Sequence, residues 1–126
     1  MINGIFLYVG SAAIALWGIA HIVIPTKTIV EGFGPLSEDN RQILTMEWIA
    51  EGLTLCFIGL LVFLVTILEG AGNPVSAIVY RTSALMLVAM ASLSLFTGAR
   101  TSIIPMKLCP IIFTAVALLF FLGSVL

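Results

Sequence analysis

The 126-residue chain is 61% hydrophobic and only 9% charged, against the roughly 25% charged residues of an ordinary soluble domain. Its formal net charge of -1, with five basic residues, provides no basic surface for nucleic acid and excludes that class of partner. A hydrocarbon core of about 30 Å takes about 20 helical residues to cross, so the length accommodates four spans and no second domain.

Four apolar runs stand out in chain order, at about Ile2 to Ile24, Ile43 to Leu68, Pro74 to Phe96 (extending to about residue 98) and Ile103 to Leu126. Backbone in lipid must satisfy its own hydrogen bonds, which makes these runs helices. The expected fold is all-α: one integral membrane domain over residues 1–126, an up-down-up-down four-helix bundle with spans at about 2–24, 43–68, 74–98 and 103–126.

The first run has no Lys or Arg before it and covers 23 residues, longer than the roughly 7 to 15 of a signal-peptide core. It reads as a retained span, with Trp17 as an interfacial anchor. The connection from Pro25 to Gln42 contains Gly32-Phe33-Gly34-Pro35, where Phe33 is placed to dip into the interface. Ser37, followed by Glu38, Asp39 and Asn40, caps the next helix with an acidic first turn that suits the positive end of the helix dipole. From Glu38 to Leu68 that helix measures about 46 Å, so its first turns protrude from the bilayer. Asn73 and Pro74 read as an N-cap and first helical position that open the third helix after a tight turn, making helices two and three an antiparallel hairpin.

Orientation follows from the basic residues near the span ends. Lys27, Arg41, Arg100 and Lys107 flank one side, and Arg81 with the terminal amine the other. Positive-inside counting places the 25–42 loop in the cytoplasm and both termini outside, in the cell membrane. Arg81 lies two turns into the third helix and is expected to snorkel outward toward Glu69.

Membrane helices associate through small residues that let backbones approach. Small or weakly polar residues recur every seven positions at Gly4, Ser11 and Gly18; at Thr45, Gly52, Gly59 and Thr66; at Ala77, Ala84, Ala91 and Gly98; and at Pro110, Ala117 and Ser124. A seven-residue period keeps a seam facing its partner in a left-handed bundle. The seam is open to a neighbouring helix or to a second subunit, which makes a homo-oligomer one expected assembly.

An ionisable group inside a span costs about 2.5 to 3.5 kcal/mol on insertion scales and is a candidate site by default. His21 lies one turn from the end of the first helix, and Glu47 and Glu51 lie in the first membrane turns of the second. Their i, i+4 spacing puts both carboxylates on one face, and Thr54 continues that face deeper. Two carboxylates so close in a dry site need a proton, a cation or His21 to neutralise one of them. Arg100 and Lys107, on the same side, are placed to pair with these acids or with lipid phosphate. Cys56 and Cys109 form no C-x-x-C pair and read as buried free thiols. The Glu-x-x-His pairs of di-iron bundles are absent, so neither a metal centre nor a cofactor is predicted. No nucleophile stands with a base and an orienting group, so the sequence does not demand an enzyme.

Four helices, a polar segment after a first span ending at Pro25, the stretch Glu47-Trp48-Ile49-Ala50-Glu51-Gly52, and Arg100 after the third helix give a chain that resembles the DoxX-like group of small membrane proteins. The resemblance implies an architecture and no substrate. The leading expectation is a ligand-binding site made by Glu51, Glu47, His21, Thr54 and Arg100 for a lipophilic or cationic small molecule or protons, with transport as one consequence and membrane lipids as neighbours. The alternatives are an accessory or scaffold protein without a site, and a membrane enzyme acting on a lipophilic substrate.

Overall fold

The structure, a computed structural model, describes residues 2–24 and 26–126, with nothing to be said of the Thr26 side chain. The expected boundary at Pro25 lies outside the described residues. The described residues are 87% helix, and no strand occurs among them. Its elements are α1 (Ile2–Val23), a short α2 (Thr26–Glu31), α3 (Glu38–Glu69), α4 (Pro74–Phe96) and α5 (Ile104–Val125), with one 3-10 turn at Gly98–Arg100 before α5. Four helices are long and apolar enough to cross a membrane.

The predicted helix starts are found where side chains satisfy the orphan amides of a first turn. The Ser37 hydroxyl accepts from the Asn40 amide at 3.2 Å, which starts α3 at Glu38. The Asn73 side-chain Oδ1 accepts from the Val75 amide at 2.8 Å, with Pro74 following as the first helical residue of α4. Between α1 and α3 the expected loop contains α2, a single short helical stretch. The turn at Gly34 then needs φ +81°, a left-handed conformation open to glycine without a Cβ penalty.

Each long helix contributes a wholly buried pair seven residues apart: Leu7 and Ile14, Leu55 and Val62, Tyr80 and Leu87, Phe113 and Phe120. That spacing returns a side chain to the same face after two turns. The outward faces are apolar as well, with Leu53, Phe57, Leu60 and Ile67 exposed along α3 alone. Helices apolar all round do not match a water-facing surface.

The long helices do not pair evenly. α1 packs most extensively on α3 and next on α5, α4 packs on α5, and of the long-helix pairs in contact α3 and α4 touch most sparsely although only Gly70 to Asn73 separates them. The expected hairpin of helices two and three is therefore joined in sequence but splayed in space. One cross-link sits near its turn, where the Thr66 and Tyr80 hydroxyls hydrogen-bond at 3.0 Å.

The glycine seam explains the tightness of α1 on α3. A Cβ at Gly18 would come within 2.6 Å of the Gly52 carbonyl oxygen and 2.8 Å of the Cys56 amide nitrogen. One at Gly52 would come within 2.8 Å of the Gly18 carbonyl oxygen and of the His21 Cβ, and one at Gly59 within 2.7 Å of the Ser11 carbonyl oxygen. These backbones are in contact because no side chain separates them. One further expectation is corrected. Arg81 does not reach for Glu69: it donates to the Ser124 hydroxyl (3.2 Å) and carbonyl (3.3 Å) at the end of α5, while Glu69 accepts from Asn73. Trp17 is partly buried and packs against the core.

Adding a methyl group where only backbone stands opposite forces the helices apart. Gly52→Ala is expected to lower unfolding stability by about 1 to 3 kcal/mol, the cost of overpacking, in denaturant titrations of the detergent-solubilised chain. Gly72→Ala, where a Cβ would meet nothing within 4 Å, is expected to stay within about 0.5 kcal/mol of the parent.

Candidate functional site

The Gly18–Gly52 contact fixes the position of His21, three residues on along α1. The imidazole is 3% exposed and lies between two indoles, stacked on Trp48 at a centroid separation of 4.4 Å and edge-on to Trp17 at 5.5 Å. Its Nδ1 is 2.8 Å from the Trp17 carbonyl oxygen one turn back. A carbonyl can only accept, so Nδ1 carries the proton, and in the neutral ring Nε2 presents a lone pair.

Nε2 faces Glu51. Nε2 is 4.0 Å from Glu51 Oε2, beyond hydrogen-bond range. Among the described residues Nε2 is a buried atom with no hydrogen-bond partner. The glutamate is only half-buried, with its side chain 30% exposed. Cys109, buried near the start of α5, completes the cluster: one ligand atom each from His21, Glu51 and Cys109 lie within 4.8 Å of one another. Neither cysteine is in a disulfide.

Glu51 and Cys109 also line a cavity of about 500 Å³. It occupies the gap that opens where α3 and α4 diverge. α2 covers one side with Val30, and Phe33 follows at the rim. Met86 and Met90 of α4 supply much of the apolar wall, and Trp48, Thr54 and Ser94 the polar points. A largely apolar enclosure with a few convergent polar groups is the usual form of a small-molecule site.

The residues singled out from the sequence divide clearly. His21 and Glu51 meet, Glu51 lines the cavity, and Glu47 and Thr54 line it further along the same helix face. Glu47 is exposed, and the Thr54 hydroxyl donates back to the Ala50 carbonyl at 2.8 Å. Arg100 is not part of the cavity wall. It is the last residue of the 3-10 turn, and its guanidinium lies 5.8 Å from the centre of the Phe96 ring. Cys109 and Trp48 were not assigned to the site from the sequence. A cysteine 58 positions from Glu51 carries no local signal, whereas Trp48, one turn before Gly52, was open to the same helical-face reasoning that selected Glu47 and Glu51.

No family model, curated protein or solved structure matches the chain.

The single histidine of the chain makes its tautomer directly measurable. In the protein labelled with ¹⁵N-histidine, Nδ1 is expected to show the shift of a protonated ring nitrogen and Nε2 that of an unprotonated one. The opposite assignment would remove the hydrogen bond to the Trp17 carbonyl.

Proposed function

We propose that this chain is a four-span membrane protein of DoxX-like architecture, an up-down-up-down, left-handed bundle that binds a lipophilic or cationic small molecule in the cavity between α3 and α4. The observation that carries the reading is Glu51, a half-buried carboxylate at the inner wall of an otherwise mainly apolar cavity. Surrounding side chains offer an apolar molecule shape and contact area. Glu51 offers it one charge or hydrogen bond, and Glu47 a second at the rim. Because α3 and α4 touch only sparsely, the cavity opens between two helices that both carry apolar outer faces, and a lipid-soluble ligand reaches it without crossing water.

Assembly through the small-residue seam is the weaker reading. The glycines that would serve it, Gly18, Gly52 and Gly59, are already occupied by the contact of α1 with α3. Under the binding reading, Lys27, Arg41, Arg100 and Lys107 flank the cytoplasmic side and both termini lie outside. Transport is a consequence open to such a site, and enzymatic turnover is not required by it.

Mass-spectrometric survey of the small molecules and lipids that co-purify with the protein tests the ligand. A species bound by the parent and depleted at least about tenfold in Glu51→Gln, a loss of about 1.4 kcal/mol, is the expected result. Identical inventories would remove Glu51 from any ligand site. Orientation has its own test: a C-terminal alkaline phosphatase fusion is expected to be active and a C-terminal green fluorescent protein fusion dark when each is expressed in a bacterium.

A further inference from the structure

The geometry points to a second, inorganic ligand: a divalent transition metal of the zinc type, held by His21 Nε2, the Glu51 carboxylate and Cys109 Sγ. The inference shares Glu51 with the organic ligand proposed above but does not rest on that ligand, which uses the volume of the cavity, whereas the metal uses the Glu51 and Cys109 donors at its wall and His21 beside them.

Three observations carry it. The first is the cluster, in which a nitrogen, an oxygen and a sulfur donor from α1, α3 and α5 lie within 4.8 Å of one another. The second is the orphaned Nε2. A buried polar atom without a partner costs about 1 to 3 kcal/mol, and this one belongs to a side chain 2% exposed and aimed at Glu51. A metal ion would supply the missing partner. The third is the hydrogen bond on the far side of the ring. Metal-ligating histidines almost always donate their other N–H to a carbonyl or carboxylate, which fixes the tautomer and turns the lone pair toward the metal. The Nδ1 bond to the Trp17 carbonyl, at 2.8 Å, does this here, and the stacked Trp48 ring holds the plane.

Metal–ligand distances of about 2.0 to 2.3 Å in a tetrahedral site place neighbouring donors about 3.3 to 3.6 Å apart. The His21–Glu51 separation of 4.0 Å must shrink by about half an ångström, and donor separations that reach at most 4.8 Å by up to about 1.2 Å, through torsions in the Glu51 and Cys109 side chains. Charge also fits a dry location. On binding, the Cys109 thiol releases its proton to solvent as the sulfur–metal bond forms, and one thiolate, one carboxylate and a neutral imidazole cancel the two positive charges. The donor set excludes calcium and magnesium, which take oxygen ligands in larger number, and matches the mixed nitrogen, sulfur and oxygen shell of zinc. Three protein ligands leave a fourth position. Glu51 and Cys109 both line the cavity, so that position opens into it, as in zinc sites that bind water or a substrate.

Cobalt(II) is the probe, because it replaces zinc in tetrahedral sites and absorbs visible light. The chain, purified without a histidine tag, reduced and stripped with chelator, is expected to take up one equivalent with tetrahedral ligand-field bands and a thiolate-to-cobalt charge-transfer band. Cys109→Ser is expected to lose the charge-transfer band, and Cys56→Ser to keep it. His21→Gln and Glu51→Gln are expected to weaken cobalt binding by more than the roughly 10- to 100-fold that loss of an outer-shell partner costs. A parent chain that takes up no cobalt, or takes it up without the charge-transfer band, overturns the proposal whatever the variants do. So does a band that survives Cys109→Ser and disappears in Cys56→Ser. Either result leaves the co-purifying ligand of the preceding section untouched, since that survey detects organic species alone.

Discussion

The contact between Gly18 and Gly52 is the constraint on which the rest of the structure depends. Each glycine stands where a Cβ would meet the other's carbonyl oxygen at 2.6 to 2.8 Å, so α1 and α3 touch backbone to backbone. His21 follows Gly18 by three residues and Glu51 precedes Gly52 by one. The same close approach that joins the helices therefore carries the imidazole to the carboxylate. A larger residue at either glycine would separate the two side chains along with the two helices.

Near the α3–α4 turn the Thr66–Tyr80 hydroxyl pair and the Arg81 bonds to Ser124 are made within the fold, and the Ser76 hydroxyl is buried without a partner among the described residues. At the opposite end of the bundle His21 Nε2 and the indole nitrogen of Trp48 are likewise buried without hydrogen-bond partners among the described residues. Native structures contain few such groups, and each calls for an explanation such as a bound ion, a water or a chemical role. The splaying of α3 from α4 opens the cavity at this end, and α2, set between α1 and α3, helps to enclose it. Unpartnered polar atoms, a half-buried acid and a cavity thus share one region of the molecule.

Much of the architecture was legible in the sequence, for reasons that are local. The limits of α3 and α4 follow from Ser37, Asn73 and Pro74 acting on the backbone amides beside them. The four long helices follow from runs of apolar residues, and the seven-residue recurrence of Gly52 and Gly59 identified the face that packs. The shared face of Glu47, Glu51 and Thr54 needed only the helical period. α2 was not legible, because its few residues carry no periodic signal long enough to distinguish a helix from a loop.

Sequence by itself determined the helices, their caps, the packing face of α3 and the acidic face beside it, since each depends on residues within about two turns of one another. Tertiary structure alone decided which surface met the glycine seam, and it chose α1. It also decided that α4 would lean on α5 and leave α3, that Arg81 would bind the end of α5, and that Cys109 would join His21 and Glu51. Those outcomes depend on which helices become neighbours. Helical period and capping are properties of a single segment, whereas the choice of neighbour is made by all four long helices packing at once.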